Sequence, residues 1–495
     1  MPRGGVAHGP DRNACGFPYA HTVLTLTGHD LSLPNFVAAA RTPGPVALDG
    51  DALERMRVNR AFAEHIAARG DDVYGLTTGV GVRKNRTVSP TEMRLFNARL
   101  VREHATGQGP ALPADVVRGT AILLLNQLAA GRSNVRPEIA EQIAQRLSEG
   151  IEDVIVPVYG ATGMGDVAPL SHLALGLLGD TELAAGEALP LIGQGSYVTA
   201  HAALALYDAE ILLETLVTLT ALDLEAYAAN PTPFHPGAGE VRPYPGYRRA
   251  LAAIGHLLGG SQLADDPRHL QAPLSFRDAG SVLGAAYDAF AFCIGQLSIE
   301  LNAHQQNPLA LMDEDRMLPV ANFDVQALAA ALDFARIALA PCLTVQNERS
   351  IKLLQASETG LTDGLEPRGA DPGHSLSEMA WPLQALTVEA RLLIQPVSAE
   401  LGSSSQAEKI EDRLTMAGLG ARRLAEMTDL GFRAAAIACV IACQAINLRG
   451  LERLGPTLTS MHEAIRVHVP VLGPGDPPPA DLEPLAAALR GGLLT

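Results

Sequence analysis

The pattern of apolar and polar positions predicts a chain built largely from long helices. Apolar residues recur at spacings of three and four over about twenty or more residues, the period at which one face of a helix is buried. The segments with this pattern are residues 208–228, 279–301, 325–343, 375–393 and 407–454. Helices of this length are typical of the central bundle of an oligomer, because a small globule cannot cover their faces.

Glycine- and proline-rich segments interrupt this helical pattern. Residues 1–20 are predicted to be a loose tail, and residues 473–479 an exposed turn before a last short helix. Between them no segment is typical of a flexible linker, so we expect one elongated protomer. Its N-terminal, loop-rich active-site domain covers residues 21–205, and the long central helices and C-terminal helices cover residues 206–495.

Composition supports the helical prediction. Hydrophobic residues make up 47% of the chain and aromatic residues only 4%, with abundant alanine and leucine. Small and unbranched apolar side chains favour closely packed helices. We therefore predict a mainly α protein with a sizeable core.

Charge and hydropathy bear on the partners and the location of the protein. The net charge of −17, without a dense run of Lys or Arg, argues against nucleic acid or an anionic membrane as a partner. Residues 1–18 lack the apolar stretch of a signal peptide. The most apolar segment, 434–448, contains Gln444 and Asn447 and is shorter than the roughly 20 residues of a membrane span. We expect a core helix there and a cytoplasmic protein.

The cysteines do not form a metal-binding pattern. They are odd in number and lack a CxxC pair. Cys439 and Cys443 are four residues apart on one helical face, but no His or carboxylate at suitable spacing accompanies them. We expect small apolar core residues in a reducing compartment and no metal site, for the set Cys15, Cys293, Cys342, Cys439 and Cys443.

Three glycine clusters are the places where chemistry could occur. They are residues 74–81, 160–166 and 193–195. Glycines alone are a weak signal, because they also serve tight backbone turns of positive φ. Gly160, Gly163 and Gly165 do not have the spacing of a dinucleotide-binding fingerprint, and no βαβ unit surrounds them.

At these loops the sequence resembles the histidine and phenylalanine ammonia-lyase family. The similarity runs in order over most of the chain, and its motifs include Tyr-Gly-x-x-Thr-Gly-x-Gly and Gly-Asp-Leu-Ala-Pro-Leu-x-His. The matching stretches are residues 74–81, 104–107, 126–136, 165–172, Gln271 with Ser275 and Arg277, 300–302 with 307–308, Asn322-Phe323, Glu348-Arg349, and Glu411-Asp412 with Met416. The resemblance implies an elongated helical bundle and a homotetramer whose active sites are assembled from loops of three neighbouring subunits.

The family's reaction uses a methylidene-imidazolone, an electrophile that forms when an Ala-Ser-Gly tripeptide cyclises and dehydrates. That tripeptide directly precedes the Asp of the Gly-Asp-Leu-Ala-Pro-Leu motif. Here the loop is one residue shorter, and Gly163, Met164 and Gly165 take its place before Asp166. Methionine has no β-hydroxyl to eliminate, so we expect no methylidene-imidazolone and no other cofactor. Cyclisation of residues 161–163 through Thr162 is the alternative, although this stretch lies two residues too early.

Other positions depart from the family pattern together with this loop. Gly193 stands where the family has an Asn that contacts the electrophile, and Leu274 stands in place of a Tyr. Asn-Phe-His becomes Asn-Phe-Asp at Asp324, and Glu-Asp-His becomes Glu-Asp-Arg at Arg413. Several residues that serve the family's reaction have therefore changed together.

The retained residues define a candidate site for a small carboxylate substrate. By resemblance, Tyr74 is the base and Arg277 grips the carboxylate, a task that suits a planar guanidinium. His104 would set side-chain selectivity, and further substrate contacts would come from Gln271, Asn322, Phe323 and Glu411. Each also has a structural interpretation: aromatic packing for Tyr74, an interhelical salt bridge for Arg277, a core hydrogen bond for His104 and a solvated helix face for Glu411.

Three functions remain open. The first is an enzyme that uses the family's cavity without the electrophile, for elimination or addition, isomerisation or cyclisation of a carboxylate- or amino-acid-derived substrate. The second is a conventional ammonia-lyase with an unusual tripeptide. The third is a catalytically silent subunit or an amino-acid-binding protein. Retention of Tyr74 and Arg277 favours the first, and Met164 disfavours the second.

Overall fold

Helices form most of the chain, which confirms the mainly α prediction. The computed structural model describes residues 23–367, 369, 375–399 and 410–495. The predicted tail, with Cys15, and the first residues of the predicted helix 407–454 lie outside this part. The helices of the N-terminal region are α1 (Leu33–Arg41), α2 (Gly50–Arg69), α3 (Pro90–His104), α4 (Ala114–Ala129), α5 (Pro137–Glu149), α6 (Val167–Leu178) and α7 (Ala188–Ile192).

Four long helices form the centre of the molecule: α8 (Ser196–Tyr227), α12 (Ala279–Glu300), α13 (Gln326–Leu353) and α16 (Ala417–Arg449). The shorter helices are α9 (Pro236–Val241), α10 (Pro245–Leu257), α11 (Leu274–Arg277), α14 (Ala356–Thr359), α15 (Ala380–Leu392), α17 (Pro456–His468) and α18 (Glu483–Arg490). The predicted turn at 473–479 precedes α18 without helical structure.

The described strands are short and pair two by two. β1 (Leu24–Leu26) runs parallel to β2 (Val46–Leu48). β3 (Gln108–Ala111) pairs antiparallel with β4 (Pro157–Tyr159), and β5 (Leu309–Leu311) pairs antiparallel with β6 (Arg316–Leu318). These pairs fix the ends of loops rather than forming a layer of the core.

The core lies between α8 and α16, which pack along most of their lengths. Small residues permit this close approach, because a side chain at Gly431 of α16 would overlap Leu212 of α8. α8 begins twelve residues before the predicted segment 208–228, since residues 196–206 are buried all round and lack a polar face. The predicted domain boundary at 205/206 therefore falls inside a continuous helix.

The argument from length against a membrane span was wrong. Residues 434–448 belong to α16, and α12, α13 and α16 are each long and apolar enough to cross a membrane by length and composition. Within the protomer, 83% of the apolar window of α16 is buried, against 61% for α13 and 44% for α12. α16 is thus a core helix, as expected, whereas α12 and α13 carry apolar faces that one protomer leaves open.

Candidate active site

The loop 160–166 connects β4 to α6 and has an unusual backbone. Gly163, Gly165 and Asp166 all adopt positive φ, at 78°, 85° and 37°. A side chain at Gly163 would also collide with Thr415 Oγ1. Glycine is therefore required at position 163, where the resemblance places the alanine of the family's tripeptide.

Three other segments contact the backbone of this loop. Thr162 O accepts a hydrogen bond from Met416 N at 2.9 Å, and Gly163 O accepts one from Thr415 Oγ1 at 2.8 Å. Met164 forms an antiparallel bridge with Asp324. Gly165 packs against Gly193. The glycine cluster 193–195 and the segments around residues 324 and 415 therefore meet at the loop, as the motif pattern indicated.

The N-termini of three helices converge around the loop. α6 begins directly after Asp166, α8 after Gly195 and α16 after Met416. Val198 N, in the first turn of α8, donates to Asp166 Oδ2 at 2.9 Å. Each helix N-terminus carries partial positive charge. The arrangement can therefore stabilise negative charge that develops on a molecule bound beside the loop.

A buried polar cluster lies behind the loop, and the sequence reasoning missed it. Asp166 is 1% exposed; burial raises the pKa of this carboxyl to about 7, although the Val198 N–H lowers it. Its Oδ1 has no partner among the described residues. On α8, Tyr197 meets His201 edge to face at 5.9 Å, and burial together with the Arg422 charge lowers the pKa of His201 to about 4. The signal for this cluster in the sequence is the spacing of four between Tyr197 and His201 in an otherwise apolar helix.

A second missed network positions the turn that faces Gly165. Gln305 Oε1 accepts from Gly195 N at 2.8 Å and from Gln127 Nε2 at 2.9 Å. Gln127 Nε2 also donates to Gln194 Oε1 at 2.8 Å. All three glutamines are buried, so these bonds fix the 193–195 turn against α4.

Tyr74 and Glu411 lie near each other, as the resemblance implied. Tyr74 Oη accepts a hydrogen bond from Gly81 N at 2.9 Å. Burial raises the pKa of Tyr74; the Gly81 N–H lowers it, and the Glu411 carboxylate raises it further. A base needs the opposite shift, so within one protomer Tyr74 is a neutral phenol.

Arg277 and Gln271 lie at the opposite end of α8 from the loop. Phe276 packs on Tyr227, the last residue of α8, with ring centroids 4.3 Å apart. Tyr227 is 29 positions beyond Val198, so at ~1.5 Å per residue roughly 44 Å of helix separates the two ends. Arg277 is exposed there. One protomer therefore does not bring the predicted carboxylate anchor to the loop.

His104, Asn322 and Phe323 complete the set of predicted residues. His104 Nδ1 bonds Leu100 O at 2.8 Å, so its hydrogen bond is to its own helix, α3. Asn322 Nδ2 donates to His304 O at 3.5 Å, and Phe323 is half-buried beside Asp324. Asn322 and Phe323 precede the residue that pairs with Met164, which places them beside the loop.

The two positions where the family has histidine now form an ion pair. Arg413 Nη1 lies 2.6 Å from Asp324 Oδ2. The two departures from the family pattern are therefore complementary rather than independent. The ion pair links the segment that contains Glu411 to Asp324, whose backbone pairs with Met164.

These features define a class of mainly helical enzymes in which a glycine-rich loop lies at converging helix N-termini. A sequence model of the family "Aromatic amino acid lyase" matches residues 31–184 and 180–467. The chain is 33% identical over 507 residues to a histidine ammonia-lyase of Sorangium cellulosum, covering 95% of this chain and 98% of that one. It is 31% identical to the histidine ammonia-lyase of Deinococcus radiodurans, covering 90% and 89%. The chain belongs to the aromatic amino acid lyase family.

Solved structures agree with this assignment. The ergothioneine-degrading enzyme ergothionase of Treponema denticola superposes with a TM-score of 0.89 at 28% identity, covering 96% of this chain and 99% of that one. A tyrosine aminomutase of Streptomyces globisporus gives a TM-score of 0.89 at 28% identity, covering 96% and 98%. The protein is therefore an enzyme of the lyase type, as its sequence predicted.

The three residues directly before Asp166 lack the serine hydroxyl from which the family's methylidene-imidazolone forms. Met164 has no hydroxyl to lose, and Gly163 has no space for the alanine side chain of the tripeptide. In the part of the chain that the structure describes, no group of three His, Cys, Asp or Glu side chains is close enough to hold a metal ion.

Proposed function

We propose that this protein is an ammonia-lyase-like enzyme that works without a methylidene-imidazolone, on a small carboxylate- or amino-acid-derived substrate. One observation carries the proposal. The loop beside the N-termini of α6, α8 and α16 carries Met164 at the position of the family's serine and has left-handed turns at Gly163 and Gly165. The site keeps its electrostatic character but lacks an atom that can become the electrophile.

The chemistry then rests on charge stabilisation and proton transfer. A base removes a proton from a carbon of the substrate, and the leaving group departs with its bonding electron pair; addition is the reverse. Helix N-termini stabilise the negative charge that develops in between. Isomerisation and cyclisation need the same proton transfer and the same carboxylate anchor, so they remain within the proposal.

Assembly into a homotetramer supplies the missing anchor. Arg277 is roughly 44 Å from its own loop along α8, so a neighbouring subunit must bring its Arg277 end to each loop. Leu270 and Leu274 flank that end and are 86% and 63% exposed. The open apolar face of α12 and α13, which includes Phe292, gives a second surface for association.

A neighbouring guanidinium also changes the state of Tyr74. A positive charge close to the phenol lowers its pKa and favours the phenolate, against the effects of burial and Glu411. The base would then exist only in the assembled site. We expect the isolated protomer to be inactive for this reason.

Intact mass and turnover test the proposal together. The purified protein should have the mass of its unmodified chain, and L-histidine, L-phenylalanine and L-tyrosine should release no ammonia. Without an electrophile, the substrate needs a leaving group that departs unaided. The substrate panel therefore includes ergothioneine, a betaine with a quaternary nitrogen, which a structural neighbour degrades. A mass deficit of two waters would overturn the proposal and favour cyclisation through Thr162.

A catalytically silent, ligand-binding subunit is the second candidate. The raised pKa of Tyr74 favours it, since a neutral phenol is a poor base. The two candidates differ in one measurement. A substrate that binds the tetramer without turnover, equally well in wild type and in Tyr74→Phe, would support the silent subunit and exclude the enzyme.

A further inference from the structure

A cleft of about 320 Å³ lies away from the loop, between the start of α2 and the end of α4. Asp51, Glu54 and Arg55 line it from α2, and Arg132 lines it from the turn after α4. Met312, next to β5, closes one side. Its volume is at the lower end of the range for small-molecule sites.

Two cations line this cleft in an acidic protein. Arg55 Nη2 donates to Thr27 O at 2.6 Å and to Ala129 O at 3.2 Å, so its guanidinium is fixed before any ligand arrives. Arg132 is exposed, and no ion pair or hydrogen bond of its side chain is found among the described residues. A fixed and an unpaired guanidinium on one cleft suit a carboxylate.

The same cleft carries two acidic side chains and apolar surface. Asp51 and Glu54 are exposed. Glu54 pairs with Arg57 at 3.2 Å, but both side chains are more than half exposed, so this pair is weak and open to exchange. Val58 and Met312 add apolar contact.

We propose that this cleft binds a small zwitterion, an α-amino acid. Its carboxylate lies on Arg132 and Arg55, its ammonium on Asp51 and Glu54, and its side chain against Met312. Two positive and two negative groups match one carboxylate and one ammonium, whereas a simple anion or cation would meet like charge.

The cleft is connected to the loop through His304. Burial and the Arg132 charge lower the pKa of His304 to about 4, and neither ring nitrogen has a partner among the described residues. His304 O accepts from Asn322 Nδ2, two residues before the bridge between Asp324 and Met164. A carboxylate that neutralises Arg132 therefore changes the electrostatic field at His304, which contacts Asn322 of the candidate active site.

Isothermal titration of the full-length protein with the twenty L-amino acids tests this inference. The Arg277→Ala background weakens carboxylate binding at the candidate active site, so binding that persists there and is lost on Arg132→Gln belongs to the cleft. We expect at least one amino acid to bind in this background. For the tightest one, the deaminated acid and the decarboxylated amine should each bind at least tenfold more weakly.

Substitutions in the cleft give the matched comparison. Arg132→Gln and Glu54→Gln should each weaken binding at least tenfold in the Arg277→Ala background. Arg391→Gln, on the exposed surface of α15 and not lining the cleft, is the control and should leave affinity unchanged. Arg55 is not substituted, because its bonds to two backbone carbonyls support the fold.

Three results would overturn the inference: no amino acid binds in the Arg277→Ala background, Arg132→Gln binds as well as its parent, or the single-charge analogues bind as well as the amino acid. Because the cleft substitutions lie outside the candidate active site, failure here leaves the proposed function standing. Binding that is lost on Arg132→Gln assigns the amino acid to the cleft whether or not the proposed function holds.

Discussion

Replacing Asp166 by asparagine should remove a pH dependence of stability that originates beneath the loop. Burial raises the pKa of this carboxyl from 3.8 to about 7. Between those values the folded protein holds a proton that the unfolded chain has lost, so the free energy of unfolding falls as pH rises. The slope is about 1.4 kcal/mol per pH unit for one proton, and the total is at most about 4 kcal/mol.

Asparagine is the appropriate substitute for this position. It tolerates the left-handed backbone of Asp166, and its amide oxygen can still accept from Val198 N. It stays neutral at every pH, so the variant should lose the slope while keeping the fold. The stability of Asp166→Asn relative to wild type should therefore increase by up to about 4 kcal/mol between about pH 4 and pH 8.

Urea unfolding of both proteins across this pH range measures the effect. Groups that titrate equally in the two proteins cancel in the difference, which isolates Asp166 from the other ionisable groups. A difference that does not change with pH would refute the reasoning. It would mean that the N-termini of α6 and α8 stabilise the carboxylate enough to cancel the cost of burial.

Further outcomes follow from the site and its assembly. Light scattering at micromolar concentration should give a tetramer, and a stable monomer would contradict the assembly. Tyr74→Phe should reduce turnover by roughly 10²–10⁴ while costing at most about 1.5 kcal/mol of stability, because only the bond to Gly81 N is lost. Arg277→Ala should weaken a carboxylate ligand by tens to hundreds of fold, which calorimetry can measure. Mixed tetramers of these two impaired variants should recover activity, which sites confined to single subunits cannot do. For the pair Asp324 and Arg413, each single charge reversal should destabilise the loop by up to about 1 kcal/mol and the double reversal should restore it, as read by thermal unfolding.

The sequence was sufficient for the fold class and for the location of the loop. Apolar periodicity indicated α12 at nearly its observed bounds. The same method missed the first turns of α8, since helices buried on all sides have no such alternation. The family resemblance indicated that the segments around Gly193, Asp324 and Arg413 lie at the loop, and the structure brings them together there.

What could not be predicted depends on three-dimensional surroundings. The raised pKa of Tyr74 comes from burial and from Glu411, which is more than 300 residues away in sequence. Asp166 was recognised only as part of a motif, and its burial against Val198 became evident from the fold. The ion pair of Asp324 and Arg413 explains why two histidines of the family pattern changed together, which neither position explains alone.

The length of α8 has a genetic consequence. If one end of the helix contributes to the site of its own subunit and the other end to the site of a neighbour, a substitution at Arg277 impairs a site whose loop comes from an unaltered subunit. A cell that carries one altered and one normal copy of the gene would then assemble mixed tetramers, in which a defect reaches beyond the subunit that bears it. Inheritance of such a defect would depend on which end of α8 it affects and on how freely the two kinds of subunit mix.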